Sequence, residues 1–313
     1  MTPLGSLGRS LLMLALVALV VLGLFQGAWQ GWGDPQAPSV WSGLMSRDGA
    51  LAAALCLFSY VLRGQRWRLW VAACGHPTPW RRGLRVYLAG YCLTPTPGNV
   101  GEAARGMLMR PSPLPVSTSV AVFAAERWQD LLALVLLAVP ALLWAPFESS
   151  GLVVMVVCAL VMSLIWLSMQ NLSWQWCLRL IPAKVKHVLG LAQAQQCLQH
   201  QAGLTWCLTL LAWSAQGLAV WLMCRHHGVL ADALQATSWY AMSMVAGALT
   251  TLPAGLGGTE ASLVGLLTQQ GVSTSLALLL TMQVRLLTLW LAVAIGLLAL
   301  VYGWRVDPPR SPP

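Results

Sequence analysis

Long apolar runs set the rhythm of the chain. They lie at 10–29, 116–144, 151–169, 203–224 and 274–303, each near or above the length a helix needs to cross hydrocarbon. A shorter run reaches from Gly49 to Leu62 before Arg63, Arg66 and Arg68 arrive, which predicts a span over 49–73 whose basic end snorkels or lies at the interface. Between these runs stand two segments of another kind. Residues 81–96 with 100–110, and 231–252 with 258–270, read as helix pairs broken by Pro and Gly. At 1.5 Å per residue, neither half of the first pair is long enough to span a core of about 30 Å. Each pair therefore predicts a re-entrant hairpin whose irregular turn faces an interior rather than lipid.

The two turns are alike. One reads T-P-T-P-G-N-V-G-E-A-A-R from position 94, with Pro97, Gly98 and Gly101 at the bend, and the other T-T-L-P-A-G-L-G-G-T-E-A from position 250, with Pro253, Gly255, Gly257 and Gly258. Glu102 precedes Arg127 by 25 residues and Glu260 precedes Arg285 by the same 25, which predicts a duplicated unit offset by 158 residues. The halves are 1–150 and 151–313. With three full spans in each, an odd number, the second copy is inverted in the membrane, as in many transporters. The expected fold is an all-α polytopic membrane protein of about six full spans and two re-entrant hairpins, 81–110 entering from the cytoplasm and 231–270 from outside.

Composition agrees with this reading and narrows it. Apolar residues make up 58% of the 313 and charged residues 9%, far below the roughly one quarter of a soluble domain. The net charge of +9 would suit nucleic acid, but its placement is that of the positive-inside rule. Arg9, Arg63, Arg66, Arg68, Arg81, Arg82, Arg85, Arg110, Arg179, Lys184, Lys186, Arg305 and Arg310 fall on the cytoplasmic side, against Arg47 and Arg225 outside. Both termini are thus expected in the cytoplasm, and no nucleic-acid partner is implied. The first apolar run reads as a retained helix rather than a cleaved signal peptide. Residues 171–200 alternate apolar and polar side chains and fit either an interfacial amphipathic segment or a solvated loop. The eight cysteines have no C-x-x-C and no metal-ligand spacing, so neither metal nor cofactor is expected.

Glu126, Arg127 and Asp130 interrupt one apolar run and Arg285 another. Such residues cost at least ~2.5–3.5 kcal/mol each at the bilayer centre, so they must face inward and be paired. Glu126 and Asp130 lie one turn apart on one helix face, while Arg127 points elsewhere and can reach the interior with Arg105. Arginines from inverted halves would converge near the midplane and could hold a lipid phosphate by forked hydrogen bonds. The plainer reading pairs Glu102 with Arg127 and Glu260 with Arg285 purely as structure. Glu126 and Asp130 support either proton coupling or simple neutralisation of arginines. All five histidines (76, 187, 200, 226 and 227) lie in loops or at helix ends, which leaves no base or nucleophile beside the arginines and argues against an enzyme.

The segments P-G-N-V-G-E-A-A-R from Pro97, E-R-W-Q-D-L-L-A-L from Glu126, P-A-G-L-G-G-T-E-A from Pro253 and R-L-L from Arg285 resemble the flippase-like transmembrane domain family, which includes the membrane half of lysylphosphatidylglycerol synthases. The resemblance runs from about Tyr60 to Trp290. It implies a bacterial inner-membrane protein that moves an anionic phospholipid or a polyprenyl-phosphate-linked lipid between leaflets. It also implies functional roles for Glu102, Arg105, Arg127, Asp130, Glu260 and Arg285. The short Pro-rich tail ending at Pro313 reads as a stand-alone member without the aminoacyl-transferase half. Asn99 departs from the basic or bulky residue that relatives often carry. Two other functions fit the same chemistry: a non-catalytic subunit presenting lipid to a separate lipid-modifying enzyme, and an enzyme acting on polyprenyl-linked sugars.

Overall fold

The computed structural model describes residues 40–109, 112–143, 160, 163–164, 191–250 and 252–306. The expected spans at 10–29 and 151–169 and most of the amphipathic segment lie outside the described residues.

Among the described residues every regular element is helical. A single turn, α1 (Val40–Leu44), leads into α2 (Arg47–Ala73). Ser46 caps α2 by accepting from the Gly49 amide at 3.0 Å, and Gly75 with φ of 85° ends it. After Pro79 comes α3 (Trp80–Gly90), then a short 3-10 turn and a longer 3-10 stretch, Pro97–Leu108. Helix α4 (Val116–Leu143) follows.

Further on, α5 (Leu191–Gln199) precedes α6 (Ala202–His226). Asp232 caps α7 (Ala233–Leu249) by accepting from the Gln235 amide at 2.7 Å. A 3-10 turn at Pro253–Gly255 separates α7 from α8 (Gly258–Gln269). The last helix is one rod with a defect: α9 (Thr274–Arg285) passes through a π turn at Leu286–Trp290 into α10 (Leu291–Val306). Two helices, Ala202–His226 and Thr274–Gly303, are long and apolar enough to cross a membrane.

Packing follows from which stripe each helix buries. On α2 the buried positions Ala52, Cys56, Tyr60, Arg63, Trp67 and Trp70 recur every three or four residues and face α6 along most of its length. Helix α7 lies across α4 and α8, while α3 packs on α10 and α2. Gly296 permits the α3–α10 approach, since a side chain there would meet the backbone of Leu88 and Cys92.

Two local differences from the expected helices have physical causes. The segment expected as a helix over 100–110 is instead 3-10 over Pro97–Leu108, where Gly98, Gly101 and Gly106 weaken α-helix and Asn99 takes φ of 55°. Such a winding stacks residues three apart, and that sets Glu102 against Arg105. The basic end of α2 also differs: Arg63 and Arg66 are buried rather than interfacial, because both lie on the stripe facing α6 and α4.

Candidate functional site

Three elements bring their charges to one buried place. Glu102 and Arg105 come from the 3-10 stretch, Glu126, Arg127 and Asp130 from α4, and Arg63 and Arg66 from α2. Arg66 is 0% exposed and its Nη1 donates to Asp130 Oδ1 and to Thr209 Oγ1, each at 2.7 Å. Its Nη2 lies 3.6 Å from Glu126 Oε1. Arg105 bridges two acids, donating to Glu126 Oε2 at 2.9 Å and to Glu102 Oε2 at 2.5 Å. Thr94 donates to the other oxygen of Glu102 at 2.8 Å, and Trp213 Nε1 donates to Asp130 Oδ1 at 3.1 Å. Each acid thus accepts several bonds, which is what a buried carboxylate needs to remain ionised.

Aromatic rings complete the setting. The Arg63 guanidinium lies 3.8 Å from the Trp213 ring centroid, and that of Arg105 lies 4.3 Å from Tyr87. Desolvated cations gain from such faces.

Arg127 behaves differently from its neighbours. Its Nη2 is 3.1 Å from Asp130 Oδ2 and 3.7 Å from Glu102 Oε2, yet 33% of its side chain is exposed. That surface borders two adjoining cavities. One, of about 80 Å³, is lined by Arg63, Arg127 and Arg285 together with Asn99, Gln216 and Tyr240. The other, of about 220 Å³, runs between α4 and α7 past Leu131, Leu134, Met244 and Leu252. Both touch Asn99, Arg127, Trp213, Met244 and Ala254.

The second turn reaches the small cavity through Arg285. Its Nε is 2.6 Å from Glu260 Oε1, and its Nη2 donates to the Ala254 carbonyl at 2.9 Å. Glu260 Oε2 meanwhile accepts from the Gly257 amide at 2.6 Å, so one carboxylate both caps α8 and holds the arginine. Ala254 takes φ of 54°, a conformation that costs an L-residue energy. The two turns touch each other, with Asn99 and Ala254 both at the cavity wall.

Of the residues singled out in the sequence, Glu102, Arg105, Glu126, Arg127 and Asp130 share one network, and Arg285 with Glu260 forms a separate pair across the small cavity. Pro97, Gly98, Gly101, Pro253, Gly255, Gly257 and Gly258 lie in or beside the two turns. Sequence reasoning missed Arg63 and Arg66. The spacing Ala52, Cys56, Tyr60, Arg63, Trp67 carried the signal, since it continues the apolar stripe through the arginine. No group of His, Cys, Asp and Glu able to hold a metal occurs among the described residues.

A helical membrane protein with a buried ion network beside a part-apolar cleft is the class these features define. Residues 10–296 match the family described as the lysylphosphatidylglycerol synthase TM region, and the chain belongs to that family. It is accordingly a membrane protein of a lipid-related family. Neither a curated protein nor a solved structure matches the chain.

Proposed function

We propose that this chain is a flippase-like lipid translocase, moving an anionic phospholipid or polyprenyl-phosphate-linked lipid between leaflets of the bacterial inner membrane. One observation carries the reading: guanidiniums from both halves, Arg63 and Arg127 from the first and Arg285 from the second, line one cavity that adjoins an apolar cleft. Arginine suits a phosphate because its fork matches two oxygens. The polar seat would take the phosphate while Leu131, Leu134, Met244 and Leu252 accept the start of the tails.

The packing supports an inverted repeat of 1–150 and 151–313 with two re-entrant hairpins. Helices α2 and α6, offset by 158 residues, lie side by side. Helix α3 packs on α10, and its counterpart α7 packs on α4, the counterpart of α9 and α10. Such exchanged contacts are those of a two-fold arrangement, and rocking one half against the other would give alternating access. The protein on this reading performs no covalent chemistry, and both termini are cytoplasmic.

The test is transfer of a fluorescent anionic lipid across vesicles holding the purified full chain, compared with Arg127→Gln and Arg285→Gln at equal folded yield. Transport slowed at least about tenfold with an unchanged Tm supports the reading, since a lost charged contact amounts to that much or more. Unchanged transport in both variants sinks it. Loss of folded protein in both assigns the arginines to structure instead.

A further inference from the structure

The interior charges do not cancel. Among the described residues the buried cations are Arg63, Arg66, Arg105 and Arg285, and the buried acids are Glu102, Glu126 and Asp130. Arg127, with 33% of its side chain exposed, and Glu260, with 29%, add one charge of each sign. One positive charge is left over. Its location is legible from the pairings: Arg66, Arg105, Arg127 and Arg285 each form an ion pair with a carboxylate, whereas Arg63 Nη2 donates to the neutral oxygen of Gln216 at 3.0 Å.

The surroundings of Arg63 point to a missing anion. Its Nε is buried and has no partner among the described residues. The Gln216 oxygen also accepts from Tyr240 at 3.3 Å, so both donors turn the amide the same way and leave its NH2 as a further donor. Arg63 and Gln216 both line the cavity of about 80 Å³. The acid on that wall, Glu102, is already engaged by Arg105, Thr94 and Arg127. An isolated cation in a low-dielectric site is unfavourable unless a counter-charge reaches it.

We infer that the cavity at Arg63 seats a single negative charge, so the ligand it fits is a phosphodiester rather than a phosphomonoester. This rests on the lipid-translocase reading and sharpens its substrate class. A phosphodiester carries one charge and neutralises the interior. A monoester, whose second pKa is about 6, carries two at pH 8 and leaves an excess of the opposite sign. Neutral Gln216 keeps the seat open, where a carboxylate would fill it permanently.

The experiment uses the full chain in mild detergent at pH 8, with native mass spectrometry reading retained lipid and thermal unfolding read in parallel. The probes are phosphatidylglycerol as diester, phosphatidic acid as monoester, diacylglycerol as uncharged control, and glycerophosphoglycerol as the diester without tails. Wild type is expected to retain phosphatidylglycerol at least about tenfold over the other two lipids. Gln216→Glu, which supplies an internal counter-charge, is expected to lose that preference and to unfold at a higher temperature without lipid. Arg63→Gln is expected to lose the preference with no fall in lipid-free Tm.

Phosphatidic acid held as well as phosphatidylglycerol overturns the single-charge inference and leaves the translocase reading standing. So does a Gln216→Glu variant that still prefers phosphatidylglycerol, or one that fails to fold. No preference for either anionic lipid over diacylglycerol overturns the translocase reading itself. Glycerophosphoglycerol competing as strongly as the lipid supports a seat for one charge but removes the lipid as its source.

Discussion

Arg105 and Glu126 meet inside the protein with both carboxylate oxygens within reach of one guanidinium nitrogen, at 3.2 and 2.9 Å, and neither side chain is open to solvent. The pair joins the 3-10 stretch to α4 and fixes the floor on which Arg127 stands.

Removing one member should cost more than removing both. Arg105→Leu leaves Glu126 with Arg66 at 3.6 Å as its remaining partner, and breaking a buried pair in this way costs about 3–5 kcal/mol. The positions 158 residues onward hold Leu263 and Val284, so Arg105→Leu with Glu126→Val gives the first half the apolar solution of the second. The double variant is expected to unfold at a higher temperature than either single variant in mild detergent. Strict additivity of the two losses would show that the residues do not act as a pair.

Ala254 is the second place where the chain departs from a low-energy state. Glycine adopts its φ of 54° without the side-chain clash, though it loses more entropy on folding. Ala254→Gly should therefore raise stability by about 0.5–1 kcal/mol, seen as a modest increase in Tm. Asn99, at φ of 55°, should respond less to Asn99→Gly because asparagine tolerates that region. An equal gain at both turns would contradict this account.

Much of the architecture could be read from the chain because charge is so rare in it. Apolar runs at 116–144 and 203–224 became Val116–Leu143 and Ala202–His226, with boundaries shifted by a residue or two. Glu126, Arg127 and Asp130 declared themselves by interrupting such a run. Arg63 and Arg66 did not, since three arginines within six residues at a span's end look like an interfacial anchor. Only the α6 surface they face distinguishes burial from snorkelling. The 3-10 and π windings were equally hidden, as each is a small choice of hydrogen-bond partner decided by packing.

Gly296 tests the contact between the ends of the two halves. A side chain added there strikes backbone atoms of Leu88 and Cys92, which have no rotamer to yield. Gly296→Val should lower stability by about 1–3 kcal/mol through overpacking. Gly203, whose added Cβ would meet nothing, provides the control, and Gly203→Ala should leave Tm nearly unchanged or slightly raised.

Acid should loosen the junction of α1, α6 and α9. His227 Nε2 lies 2.9 Å from Gln283 Oε1, and Gln283 donates onward to the Val40 carbonyl at 3.0 Å. Burial holds the His227 imidazole below its usual range, with Gln283 opposing and His226 adding to the effect. A depressed folded-state pKa means stability is present in full above the unfolded value of about 6.5 and is lost as pH falls through the folded one. Thermal unfolding at pH 7.5 and pH 5 should therefore differ less in His227→Gln than in wild type. An unchanged difference would assign the acid sensitivity elsewhere.

The π turn at Leu286–Trp290 gives the last helix an extra residue, and Tyr60 bonds the Leu287 and Thr288 carbonyls there at 3.0 and 3.1 Å. A helix advances about 100° per residue, so the defect works as a clutch between two ends of one rod. Upstream, Arg285 points at the small cavity; downstream, Val293 and Gly296 point at their own neighbours. Deleting one residue from the turn would leave a continuous helix with its ladder intact, yet rotate every downstream side chain relative to the arginine. At this place the genetic change that matters most is a shift of phase, which no list of substitutions would reveal.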